Sequence, residues 1–198
     1  MKMDIVAGSG NDEFYTPLYA ILPIVKHLKP FSKIWCPFDT EDSNFVKYFR
    51  SVGHKVIATH IFTGTDFFDC EVPECDYIIS NPPYSLKTEV LERLFAIGKP
   101  FAMLVGVVGL FESQKRFDLF KGHDFEIMYF NRRVAYFKSY CEQKPSLNPP
   151  FSSVYVCSKV LPNTIVFEEI NRNETAPDQK RDYKWLDSLL EKEGIRCS

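Results

Sequence analysis

From residue 17 to about residue 108, short apolar runs alternate with amphipathic stretches, and this rhythm constrains the fold more than any other feature of the chain. An apolar run of about four to eight residues between turn signals suits a strand buried on both faces, and an amphipathic stretch after it suits a helix returning over the sheet. The alternation predicts an α/β fold with a mostly parallel twisted sheet and helices on both faces. A chain of 198 residues can bury one full core of this kind.

Thr16 followed by Pro17 gives a capping residue and a proline at the first helical position, which predicts a helix over Leu18–Leu28. Lys33–Phe38 reads as a strand. Asp42 or Ser43 can cap a helix on which Phe45, Tyr48, Phe49 and Val52 share a face, and Gly53 ends it. Lys55–Ile61 is the next strand, and Asp76–Ser80 a buried one. The helix expected over Lys87–Ile97 carries Val90, Leu91, Leu94 and Phe95, and Phe101–Val108 is the most apolar strand. Beyond it Phe125–Phe130, Ser153–Val160 and Thr164–Ile170 read as strands joined without long helices, so an antiparallel end to the sheet is expected. This places a single domain over residues 1–170. A polar linker with Pro177 and a last helix, Asp182–Glu193, occupy residues 171–198. Trp185, Leu186, Leu189 and Leu190 lie on one side of that helix, a face that either closes the core or joins two chains.

Composition narrows the function. Lys and Arg number 24 against 26 Asp and Glu, a net charge of −2, so nucleic acid would have to be held by a local patch. No run of about eighteen apolar residues occurs, and Met1-Lys2-Met3-Asp4 has no apolar stretch behind it, so a soluble cytoplasmic protein without membrane span or signal peptide is expected. The six cysteines are scattered, which suits free thiols in a reducing compartment. Cys70 and Cys75 are the only close pair, and without a second pair or a nearby His no metal site is expected. Thirty aromatic rings, eighteen Phe, ten Tyr and two Trp, exceed what a minimal core needs and leave some to meet a flat ligand.

The sharpest motif is Ser80-Asn81-Pro82-Pro83-Tyr84, directly after a buried strand, where open α/β sheets bind ligands. Asn81 is pushed toward an extended backbone by Pro82, and the two prolines fix φ, so the loop is stiff. An exocyclic amine on an aromatic ring is a poor nucleophile because its lone pair is delocalised. The Asn81 carboxamide oxygen and the Pro82 carbonyl can both accept hydrogen bonds from such an amine and favour the tetrahedral form, while Tyr84 can stack on the ring. The bland reading is a rigid turn, and position after the strand favours chemistry. Asn148-Pro149-Pro150-Phe151 repeats the pattern but precedes a strand, so it reads as a turn that could line a substrate cleft.

The Asn81–Tyr84 segment resembles motif IV of the S-adenosylmethionine-dependent amino methyltransferases, which methylate adenine N6, cytosine N4 or a glutamine amide. Asn11-Asp12-Glu13-Phe14-Tyr15-Thr16-Pro17 resembles the Tyr-Thr-Pro segment of adenine-N6 enzymes, where these residues help hold the amino-acid end of the cofactor. Gly64-Thr65-Asp66-Phe67-Phe68 resembles the acidic-aromatic pair that meets its adenine. The chain looks closest to small phage- and prophage-encoded adenine methyltransferases. The resemblance implies a class I, Rossmann-like methyltransferase fold, S-adenosylmethionine as cofactor, and double-stranded DNA as substrate for a monomer or homodimer. It implies catalytic roles for Asn81, Pro82, Pro83 and Tyr84, and cofactor contacts from Tyr15, Thr16, Pro17, Pro37, Asp39, Asp66, Phe67 and Asn81. Two positions depart from the family. Trp35-Cys36-Pro37-Phe38-Asp39-Thr40-Glu41-Asp42-Ser43 has no glycine where the family has a glycine-rich turn, so side chains must help hold the cofactor, with Asp39 facing its ammonium group. The same residues equally suit capping the next helix. Where a carboxylate commonly grips the ribose, the chain has His60.

Residues 110–150 are the candidate for target recognition. Lys115, Arg116, Lys121, Arg132, Arg133, Lys138 and Lys144 are interleaved with Tyr136, Phe137 and Tyr140, as in a nucleic-acid groove, but basic residues outnumber acidic ones there by only two, as in a mixed solvated face. A base in duplex DNA would have to be flipped into the pocket, and its methyl would arrive by direct in-line displacement. Methylation of an RNA base or a glutamine amide, and a non-catalytic binding module on the same fold, are the alternative readings.

Overall fold

Strands β3 (Tyr77–Ser80) and β4 (Phe101–Gly106) are buried along their whole length, as unbroken apolar runs require. They form the centre of a sheet in a computed structural model that describes residues 15–137 and 151–173. The other strands are β1 (Lys33–Cys36), β2 (Lys55–Ala58), β5 (Glu126–Phe130), β6 (Ser153–Ser158) and β7 (Ile165–Glu168), and the order across the sheet is β2-β1-β3-β4-β6-β5-β7. In register, Trp35 of β1 lies beside Ile57 on one side and Ile78 on the other.

Side chains alternate between the two faces with the period of a strand. Ile34, Ile79 and Leu104 face α1 (Leu22–Val25) and α2 (Asn44–Ser51), where they meet Ile24, Phe45 and Phe49. Trp35, Ile78, Met103 and Val105 face the opposite way, toward Val90, Leu91 and Leu94 of α3 (Lys87–Ile97) and Phe120 of α4 (Gln114–Lys121). Helices therefore cover both faces. Ser43 caps α2 by accepting a hydrogen bond from the Val46 N–H at 3.2 Å, and Gly53 follows the helix with φ of 89°. Ser43→Ala is expected to lower stability by about 1 kcal/mol, the usual effect of losing such a cap, measurable as a shift in the urea midpoint at unchanged slope.

Several expectations need correction. The helix expected over Leu18–Leu28 is a 3-10 turn, Leu18–Ala20, followed by the four-residue α1, and Thr16 does not cap it. Pro23 is the cause, since it donates no backbone hydrogen bond and its ring crowds the preceding turn. Strands β1, β2 and β4 stop earlier than read: Pro37 ends the first, a 3-10 turn at Ile61–Thr63 replaces the end of the second, and the last stops at Gly106. Helix α4 was not foreseen, because only Phe120 on it is buried and its apolar signal is weak. At the far end of the sheet β6 alone runs antiparallel, to both β4 and β5, whereas the outermost β7 is parallel to β5. The Asp182–Glu193 helix, most of Asn148–Phe151 and the segment 11–14 lie outside the described residues.

Candidate active site

From β1 the chain crosses to β2 on one side, and β3 lies on the other side of β1. Crossovers diverge at that point and leave a crevice beyond the carboxyl ends of β1 and β3, the usual ligand site in such sheets. A cleft of about 250 Å³ lies there, close to the lower end of the roughly 300–1,000 Å³ typical of small-molecule pockets. After β1 it is walled by Pro37, Phe38, Asp39, Thr40 and Ser43; after β2 by His60, Ile61 and Phe62. Asn81, Pro83 and Leu86 follow β3, and Asp66, Phe67 and Phe68 close the floor. Tyr15 and Thr16 complete the wall from the N-terminal side. Their backbone is fixed there: Phe137 N–H donates to the Tyr15 carbonyl at 2.9 Å, and the Asn44 carboxamide donates to the Thr16 carbonyl at 2.8 Å.

Asp39 is the electrostatic centre of the cleft. Its backbone N–H donates to the Thr59 carbonyl at 3.2 Å, which tethers the β1 turn to the end of β2. Asp39 is 6% exposed, its carboxylate accepts a hydrogen bond from the Ser80 hydroxyl, and the Ser43 hydroxyl lies near enough to act on it. Burial penalises the charged form and pushes its pKa up to about 6, against the opposing effect of the two hydroxyls. Such a carboxylate is short of compensating positive charge. Its neutral partners leave it suited to a cation brought by a ligand.

His60 closes the turn after β2 by accepting from the Phe62 N–H on Nδ1 at 3.1 Å. With Nδ1 used as an acceptor, the neutral ring carries its proton on Nε2 and can donate one hydrogen bond. Asp66 similarly accepts from the Phe68 N–H at 2.9 Å, which fixes the loop that carries the aromatic floor. Phe67, 3% exposed, packs at 4.8 Å from the Phe38 ring and 5.5 Å from Trp35, with the Arg93 guanidinium 5.3 Å away over its ring. Phe62 is 75% exposed and Ile61 64%, on the cleft wall after β2. Sequence reasoning missed them as well as Phe38 and Leu86. No local signal marks Ile61 and Phe62, since the turn that His60 caps is what sets them on the wall.

Of the residues singled out from the sequence, Tyr15, Thr16, Pro37, Asp39, Asp66, Phe67, Asn81 and Pro83 share this cleft. Pro17 and Pro82 are buried outside its lining, and Tyr84 does not line it either. The Tyr84 hydroxyl donates to Tyr136 Oη at 2.7 Å, which donates to Ser153 Oγ at 2.8 Å. Its ring meets Phe151 edge-on at 5.4 Å, and the Lys87 ammonium lies 5.7 Å from its centroid. The chain Tyr84–Tyr136–Ser153 thus ties the Asn81–Tyr84 loop to β6. Burial and the neighbouring hydroxyl hold the Tyr84 phenol well above its ordinary pKa, so it stays neutral. A Cβ added at Gly106 would lie 3.2 Å from Tyr84 and 3.3 Å from Phe151. Gly106→Ala is expected to destabilise by about 1–3 kcal/mol through overpacking, as read by urea unfolding, because neither ring is at the free end of a flexible chain.

The region 110–150 is less open than its composition suggests. Arg116 is engaged by the carbonyls of Leu110 and Gly109 and by Thr88 Oγ1, Lys115 pairs with Glu92 at 2.9 Å, and Tyr136 is 1% exposed. Residues 138–150, with Lys138, Tyr140 and Lys144, are outside the described part.

No protein-family model matches the chain, and no curated protein matches it significantly. The solved structures similar in shape include two subunits of restriction-modification systems. One is a modification subunit ascribed to a type I restriction enzyme from Vibrio vulnificus YJ016, with a TM-score of 0.50 and 11% identity. The fold is that of the class I methyltransferases. The other is the methyltransferase subunit of a type I restriction-modification system from Streptococcus thermophilus, with a TM-score of 0.49 and 12% identity. Each likeness covers 98% of this chain and 56% of the subunit. This chain therefore spans little more than half the length of either, with its cleft at the strand ends where a class I methyltransferase fold places its ligand crevice. No helix among the described residues is long and apolar enough to cross a membrane.

Proposed function

We propose that this chain is an S-adenosylmethionine-dependent methyltransferase acting on the exocyclic N6 amine of adenine in DNA. The observation that carries the reading is the meeting of Asn81 and Asp39 in one cleft, beyond adjacent parallel strands, with Tyr15 and Thr16 on the same wall.

The residues present fit the cofactor. Asp39, buried with only hydroxyl partners, offers an anionic seat for an ammonium group. Thr40 and Thr16 add hydroxyls for the adjoining carboxylate. The Nε2–H of His60 is a donor for a ribose hydroxyl, in place of the acceptor pair of a carboxylate, and the aromatic floor suits adenine. When bound, the cofactor supplies a sulfonium methyl as electrophile. The chain's own contribution is orientation. Asn81 Oδ1, buried at the cleft, accepts from the target amine, favouring the tetrahedral nitrogen whose lone pair is free to attack, while Pro82, outside the lining, contributes stiffness to the loop. The proline pair and the Tyr84–Tyr136–Ser153 chain hold that acceptor still, so that the target nitrogen would be presented in one orientation. The proton released from the methylated amine passes to solvent water, and no covalent intermediate on the protein is needed. In duplex DNA the base must leave the stack to reach the cleft, at about a few kcal/mol.

The test is incubation with methyl-labelled S-adenosylmethionine and unmethylated double-stranded DNA, followed by nucleoside analysis. Label in N6-methyladenine is the expected result. Label confined to cytosine, RNA or protein would contradict the adenine reading while keeping the methyltransferase one, and no label with any acceptor would favour a binding module.

A further inference from the structure

The sheet carries a second concavity that the proposed chemistry does not use. On the α3–α4 face, β5, β6 and β7 present Ile127, Tyr129, Val154, Ile165 and Phe167 with Phe111 at the edge. The hollow measures about 300 Å³, and among the described residues no charged side chain lines it. Phe167 is 76% exposed, Ile165 55%, Phe111 58% and Tyr129 48%, and the rings of Tyr129 and Phe167 meet at 5.9 Å. Contiguous apolar surface of this kind on a sheet face calls for a cover. The opposite face of the same strands is filled by Met128, Phe130 and Tyr155.

The described residues end at Asn173, five residues beyond β7, the strand that forms the outer wall of the hollow. Twenty-five residues follow. They contain a single apolar cluster, Trp185, Leu186, Leu189 and Leu190, spaced as one stripe of a helix, with Asp187, Ser188, Glu191 and Lys192 between and after them. The stripe matches the hollow in chemistry, aromatic and aliphatic against aromatic and aliphatic. The reach also suffices. Residues 174–181 span at most about 26–29 Å when extended, ample to round an edge strand and return over a face some 10 Å thick.

We propose that residues 182–193 dock as an amphipathic helix on the β5–β7 face, seating Trp185 against Phe167 and Tyr129. The segment would then complete the helical layer that α3 and α4 begin, and the long polar stretch Asn171–Lys180 is the length needed to turn the edge.

Trp185 is a built-in probe, since Trp35 is the only other tryptophan and is fully buried. Acrylamide quenching and emission of the full chain, with its Trp185→Phe variant subtracted, isolate the signal of residue 185. The expected result is a blue-shifted, shielded Trp185 at all protein concentrations. In Phe167→Asp, whose exposed position leaves the core intact by circular dichroism, Trp185 should shift to the red and its quenching approach that of a free tryptophan. A fully quenchable Trp185 in the wild-type chain would overturn the proposal. So would shielding that survives both Phe167→Asp and Tyr129→Asp, or that vanishes on dilution, which would place the segment elsewhere or on a second copy. None of these outcomes depends on methyl transfer.

Discussion

Asn81→Ala is expected to lower methyl transfer on the order of 100- to 1,000-fold, the effect of removing one preorganised hydrogen-bonding group from the transition state. Its oxygen is buried at the cleft and stands on a loop stiffened on its C-terminal side by Pro82 and Pro83. The substitution removes no core volume, and Ser80 before it remains locked between strands and bonded to Asp39. Stability should therefore fall by no more than about 1 kcal/mol, or roughly 2–4 °C in Tm for a chain of this size. Cofactor binding should persist, because Asp39, His60 and the aromatic floor are untouched. Single-turnover transfer, a melting curve and cofactor binding on the same preparation separate these effects. Loss of binding together with transfer would show that Asn81 serves the cofactor and not the amine.

Asp39→Asn is expected to act in opposite directions on stability and on binding. The folded carboxyl titrates at about 6 against an ordinary 3.8, so the folded state holds its proton more tightly than the unfolded chain. The stabilisation from this group is therefore fully present below pH 4 and is lost as pH rises through about 6. Two units correspond to about 3 kcal/mol. At pH 7 the ligand-free Asn variant, which carries no charge to bury, should be more stable than the wild type by up to that amount, and the two should converge near pH 4. Cofactor affinity should fall in the variant at pH 7, and in the wild type as pH drops below 6, because the ammonium loses its counter-charge. Urea unfolding from pH 4 to 7.5 gives the first result. Parallel stability profiles for the two proteins would contradict the assignment of Asp39 as a buried, uncompensated acid.

Helix α3 lies where its pattern puts it, from Lys87 to Ile97, because Val90, Leu91 and Leu94 carry the period and Gly98 adopts a left-handed cap. Asn81 lies just after a buried strand, because prolines and apolar runs are local signals. The helix after Thr16 failed at Pro23, where one residue outweighs a favourable start. The sidedness of Tyr84 was illegible, since its partners Tyr136 and Ser153 are 52 and 69 positions away and only the tertiary fold brings them together. For the same reason Ser80 gave no sign of bonding Asp39, and nothing in Phe62 announced that a His60-capped turn would set it on the cleft wall.

The glycine-free turn at Asp39–Ser43 carries the proposed cofactor contact. Calorimetric titration of S-adenosylmethionine into the wild-type chain at pH 7.5, with Asp39→Asn in parallel, tests it directly. One saturable site in the wild type, weakened in the variant, is the result expected if the cleft holds the cofactor through Asp39. Absence of binding in the wild type, with and without an adenine-containing duplex, would contradict it and leave a class I methyltransferase fold that serves another ligand.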